Sequence, residues 1–129
     1  MPDGYTPKFT DLRDRTREFA RRVVRAFRAL PRNDESRTIG LQFLRAGTSV
    51  GANYHAACRA RSLADFISKM GIVLEEADES DYWLDLLASE KFLPKHRPED
   101  LKQECQELIR IFVASINTAE TKRDRAKSK

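Results

Sequence analysis

The chain reads as an all-α protein, a single-domain, up-down-up-down four-helix bundle, and three observations lead there. Apolar residues recur at steps of three and four in four long segments, which is the period of a helix face. The connections between those segments are short and carry proline or capping residues, which favours antiparallel neighbours. No segment alternates apolar and polar residues as a half-buried strand would. At 129 residues the chain is one domain by length, and it can bury roughly two thirds of its unfolded surface without a disulfide or a metal. Residues 1–121 are expected to form the bundle. Residues 122–129, Lys122 to Lys129, are expected to form a charged, disordered tail with no apolar anchor.

In the first segment Phe9, Leu12, Thr16, Phe19, Ala20, Val23, Phe27 and Leu30 share one face, and Pro31 ends the helix. Asn33 to Ser36 supplies capping chemistry for the second helix, whose core side is Ile39, Phe43, Ala46, Val50 and Ala57. That helix has another weakly polar face: Gly40, Leu44, Gly47 and Gly51. Gly47 and Gly51 each cost roughly 1 kcal/mol against alanine inside a helix, and their phase, apart from Phe43, Ala46 and Val50, points to close approach by a neighbouring helix or chain rather than tight packing inside one bundle, so Gly47→Leu is expected to disrupt assembly more than it unfolds the protomer. Ser62 caps the third helix, with Asp65 as an imperfect capping box. Its stripe runs Leu63, Phe66, Ile67, Met70, Val73, Leu74, Ala77, Leu84, Leu87 and Ala88 and ends near Phe92. Pro94 and Pro98 bracket the last connection, and Leu101, Cys105, Leu108, Phe112, Ile116 and Ala119 mark the fourth helix.

Net charge is +4, but it is segregated along the chain. Residues 1–61 hold 13 Lys/Arg against 6 Asp/Glu, residues 62–107 hold 5 against 12, and residues 108–129 hold 6 against 2. A basic front beside an acidic middle can be satisfied within the fold, between copies of the chain, or by an anionic partner. Cys58 and Cys105 lack metal-ligand spacing and read as buried thiols of a reducing compartment. The opening residues lack the blocks of a signal peptide, and no apolar run approaches the ~20 residues of a membrane span. A cytoplasmic protein with no membrane association is expected.

Catalytic chemistry finds little support. His55 and His96 have no partner at ligand spacing, and neither a phosphate loop nor a nucleophile elbow occurs, so no catalytic residue, metal or cofactor is expected. The acidic run Glu75, Glu76, Asp78, Glu79, Asp81 and Asp85 lacks the Glu-x-x-His of di-metal bundles. Glu75, Glu76 and Glu79 fall on a solvated or interface face. Asp81 projects close to the apolar stripe, where a carboxylate needs a partner such as an arginine or a helix-terminal amide. The strongest pattern is in helix one. Arg17, Arg21, Arg25, Arg28 and Arg32 fall within about an 80° arc opposite the apolar stripe. Asp14 and Glu18 can neutralise its beginning, which leaves Arg21, Arg25, Arg28 and Arg32 unmatched. Arginine suits bidentate contact with phosphate or carboxylate. The ridge is therefore a sequence-tolerant nucleic-acid surface, RNA or DNA, or a solvated face, or a face paired with the acidic third helix of another protomer.

The segment Arg45-Ala46-Gly47-Thr48-Ser49-Val50-Gly51-Ala52-Asn53, then Ala57, Ser62, Asp65-Phe66, Lys69, Ile72, Glu75-Glu76-Ala77, Glu79-Ser80 and Tyr82-Trp83-Leu84 through Leu87, resembles the four-helix-bundle family of ribosomal-RNA intervening-sequence proteins. The match is close in helices two and three and one of pattern only in helices one and four. The resemblance implies a small bacterial cytoplasmic bundle, no enzyme activity, a ring-shaped homopentamer, and nucleic-acid binding as the leading role. A related branch is the accessory variability determinant of diversity-generating retroelements, so a reverse transcriptase enters as a partner by family analogy only. Gly51 stands where many members have proline, and Tyr54-His55-Ala56-Ala57 stands where they have Ala-Glu-Gly. These departures place the chain with the Gly-Ala-Asn and Tyr-Trp-Leu-Leu branch. A ring needs a heterologous contact, and Gly47, Gly51, Asn53, Arg45 and Trp83 are the candidates for that contact or for close packing. The alternative role is a protein-interaction scaffold whose basic face binds acidic protein surfaces.

Overall fold

The computed structural model describes residues 11–94 and 96–128. It contains α1 (Leu12–Arg28), α2 (Asp34–Ala57), α3 (Leu63–Ser89) and α4 (His96–Lys127), an all-α four-helix bundle. Phe9 and the other residues before Asp11 lie outside the described part. Each helix packs on the next in sequence, and α4 closes the ring more loosely against α1.

Local chemistry fixes the helix ends. The Asp11 carboxylate accepts from the Arg13 and Asp14 amides at the start of α1, and Asn33 accepts from the Ser36 amide at 2.8 Å at the start of α2. Ser62 accepts from the Asp65 amide at 3.0 Å, while the Asp65 carboxylate reaches the Arg61 amide at 3.2 Å, one residue before the usual capping-box position. Lys69, at 2.6 Å, and that amide both lower the Asp65 pKa. α3 stops on Lys91 in the left-handed region (φ 62), with the Phe92 amide donating to Leu87 and the Lys91 amide to Ala88, both at 3.0 Å. That turn carries the chain to buried Leu93.

The core joins all four helices: Phe19 and Val23, then Phe43 and Val50, Met70, Leu84 and Leu87, and Leu101, Leu108 and Phe112. Tyr54 stacks on Phe112 with ring centroids 6.3 Å apart. Burial, reinforced by the nearby Cys58, pushes the Tyr54 phenol up to about 12. The glycine face of α2 packs against α1 of the same chain. A Cβ on Gly47 would stand 2.7 Å from both γ-methyls of Val23, and one on Gly51 would stand 3.3 Å from the Thr16 carbonyl oxygen. This corrects the expectation that the face is left for assembly: it is packed inside the bundle, against the protomer's own α1.

Three further expectations change. α4 begins at His96 and contains Pro98, which a first helical turn tolerates because its N–H would have no partner there. The helix continues through Lys122 to Lys127, the segment read as a disordered tail, because that stretch holds good helix formers and neither glycine nor proline. Ala119 is its last buried residue, so the core still ends before the tail. Of the two thiols only Cys105 is buried; Cys58 is exposed at the C-cap of α2.

Candidate nucleic-acid interface

α1 buries Thr16, Phe19, Val23 and Ala26, and that phase throws Arg17, Arg21, Arg25 and Arg28 onto the opposite, exposed side. Arg32, in the turn after Pro31, is exposed as well. Glu18 lies 3.6 Å from both Arg21 and Arg25, so these two are not unmatched. All three side chains are about half exposed, and such pairs contribute roughly 0–1 kcal/mol. Among the described residues no carboxylate lies within ion-pair distance of Arg17, Arg28 or Arg32, and Asp14 neutralises none of the ridge. Arg28 and Arg32 meet Arg37 of α2 around a 630 Å³ hollow whose apolar lining is Phe27, Leu30 and Pro31, with Asp34 also in it. The ridge thus turns the corner into the α1–α2 connection.

Arg15 is a different kind of arginine. It sits two positions before Arg17, about 200° around the helix, and reaches α4, where it forms a fork with Glu104 at 2.8 Å and a bond to Glu107 at 2.9 Å. Glu104 above all, against an opposing burial penalty and helped by Glu107, holds the Arg15 guanidinium even further above its usual range. Arg97, in the first turn of α4, donates to the Arg25 carbonyl at 3.2 Å. These two residues tie α4 to α1.

The carboxylates of α3 are met largely within the chain. Arg45 bridges Glu76, at 3.2 Å, and Glu79, which also accepts from the Trp83 indole N–H at 3.2 Å. Glu76 is thereby mostly covered, not solvated. Asp81 takes neither an arginine nor a helix-end amide but Lys102 of α4, at 3.0 Å, with Asp85 at 3.5 Å from the same ammonium. Partial burial pulls that ammonium down, and the two aspartates outweigh it, so Lys102 titrates above its ordinary value. Arg45 and Trp83 therefore belong to one surface network inside the protomer. Asn53 donates to the Ser49 carbonyl of its own helix at 2.8 Å.

A protein-family model described as "23S rRNA-intervening sequence protein" matches residues 10–114. The chain belongs to that family. It is also similar to a crystal structure of a protein of unknown function from the S23 ribosomal protein family of Bacteroides thetaiotaomicron. The two share 36% identity over 81% of this chain and 96% of the other, with a TM-score of 0.75. No curated protein matches the chain.

In this member of the intervening-sequence family the remaining chemistry is sparse. His55 and His96 are exposed on different helices, and no group of three or more His, Cys, Asp or Glu among the described residues is arranged to hold a metal ion. Cys105 donates its thiol to the Ala77 carbonyl at 3.3 Å, and burial pushes that thiol up to about 12, far from a reactive thiolate. No helix among the described residues is long and apolar enough to cross a membrane. Sequence reasoning found the ridge but missed Arg15, Arg22, Arg37 and Arg97. Arg22 is off the ridge's phase, Arg37 stands on α2, and Arg15 and Arg97 act through partners on a distant helix.

Proposed function

We propose that the protein is a non-catalytic, homo-oligomeric bundle of the bacterial cytoplasm that associates with nucleic acid through Arg17, Arg21, Arg25, Arg28 and Arg32. One observation carries the reading: the five arginines are exposed, with Glu18 as the sole carboxylate within ion-pair distance of them among the described residues, while the acids of α3 draw on Arg45 and Lys102. The acidic helix therefore does not consume the ridge within the protomer. Guanidinium forks pair well with phosphate oxygens, and a row on a helix surface reads backbone and not sequence. The name of the family, which ties it to insertions in 23S rRNA, makes RNA the first ligand to try. In a ring such as the pentamer the family resemblance implies, repeated ridges would add avidity to weak single contacts.

A salt titration of binding to generic RNA and DNA tests this. Binding should weaken steeply with salt, and R21E/R25E/R28E should abolish it at low salt while the oligomer stays intact. Undetectable low-salt binding by the wild type, or binding unchanged in the triple variant, would refute the proposal.

A second reading has its own observation. On the outer side of α3, among the described residues and apart from its own helix backbone and chain neighbours, Gly71 has no atom within 4 Å of where a Cβ would stand, and it lies in line with Tyr82, which is 61% exposed, and with Glu75, Asp78 and Asp85. A helix-interior glycine with no packing reason among the described residues suits close approach by another copy, and the α1 ridge is the face of complementary charge. If R21E/R25E/R28E dissociates the oligomer, the arginines serve the scaffold and not the nucleic acid.

A further inference from the structure

We infer that the hollow between α1 and the first turn of α4 is a pocket for the terminal phosphate of a nucleic-acid strand. The inference rests on the nucleic-acid reading above and names a ligand group and residues outside the ridge. Arg22 and Arg25 line the hollow from α1, and His96, Arg97, Asp100 and Leu101 line it from α4. The bond from Arg97 to the Arg25 carbonyl holds the third guanidinium against α1, so three cations from two helices converge on one concavity.

Among the described residues the charge there is only partly compensated: three arginines line the hollow with one carboxylate, Asp100, whatever the charge on His96. Among the described residues neither Arg22 nor Arg97 has a carboxylate within ion-pair distance, and Arg25 has only Glu18, at 3.6 Å. Like charges gathered with little counter-charge favour an anion.

Size and charge select which anion. The hollow measures 250 Å³, below the roughly 300–1,000 Å³ of pockets that enclose whole small molecules, so it suits a phosphoryl group better than an enclosed nucleotide. A monoester carries about −1.5 to −2 charge and three free oxygens, enough for several guanidinium donors. A backbone diester has one charge and a chain leaving on both sides, which suits the open ridge better than a concave site. The ridge would thus hold the strand and the pocket its end.

The test uses the full-length protein and one internally labelled single-stranded RNA made with a 5′-phosphate, with a 3′-phosphate, or with hydroxyls at both ends. A phosphate at one end should tighten binding by about tenfold, the size of one charge-assisted contact. R22Q/R97Q should erase that preference and leave the hydroxyl-ended strand bound as before, and inorganic phosphate should compete away the preference alone. R97Q by itself, a change on the exposed first turn, should lose part of the preference if the double variant does not fold. Equal affinity for the three strands, or a preference that survives R97Q and R22Q/R97Q, overturns the pocket and leaves the ridge standing. Failure of every strand to bind overturns both.

Discussion

Gly47 and Gly71 both interrupt the middle of a long helix, and their surroundings are opposite. At Gly47, on the seam between α1 and α2, an added methyl would meet both arms of Val23 at 2.7 Å. At Gly71, on the outer side of α3, it would meet nothing within 4 Å. The helix loses about 1 kcal/mol at each against alanine. On the seam that loss is offset by the backbone approach that seals Val23, Phe43 and Val50 from water. On α3 no contact among the described residues offsets it. The same residue type thus marks a finished contact in one place and an unfinished surface in the other.

The largest effect should come from filling the seam. Val23 is fully buried and stiff at χ1, so it cannot swing aside, and Gly47→Leu should cost about 3 kcal/mol as overpacking. Urea unfolding should show a lower midpoint, partly restored in Gly47→Leu combined with Val23→Ala. The sequence alone favours the opposite outcome, a seam in the assembly, in which case the oligomer would dissociate and the protomer midpoint would hold. That result would break the comparison.

Filling the open side should do the reverse. Gly71→Ala creates no clash and removes the glycine cost, so the isolated protomer should gain about 1 kcal/mol. If another copy approaches there, sedimentation of the same variant should show weaker association. A fall in the protomer midpoint would mean that Gly71 has an intrachain role that its open surroundings give no hint of.

What was legible in the sequence follows the same division. The 3.6-residue period named the residues that fill the core, from Phe19 and Val23 to Leu108 and Phe112, because burial demands a continuous apolar stripe. It also placed the arginine ridge, since exposure is the complement of that stripe. It did not show what fills a face. Arg15 and Arg17 look alike in the sequence, yet Arg15 finds its partners 89 and 92 positions away. The sequence shows that Asp81 needs a partner and suggests an arginine or a helix-end amide; only the packing of α4 on α3 makes that partner Lys102. His96 and Pro98 read as connection because proline ends most helical patterns, although the first turn is where it fits.

The smallest effect separates the two faces of α3 itself. Its inner face presents the Ala77 carbonyl to the buried Cys105 thiol, whose pKa rises from 9.0 to about 12 through desolvation first and the Asp81 charge second. For a raised pKa the folded chain holds its proton longer than the unfolded one, so stability is complete below pH 9 and declines as pH climbs toward 12. By pH 10 the loss from this group is about 1 kcal/mol, before Tyr54 adds its own decline at higher pH. Urea midpoints at pH 8 and pH 10 should therefore move closer together in Cys105→Ala than in the wild type. Gly71→Ala, on the outer face, should leave that pH difference unchanged. If instead Gly71→Ala alters it and Cys105→Ala does not, the inner face of α3 is not the sealed core described here, and the contrast between its two sides fails.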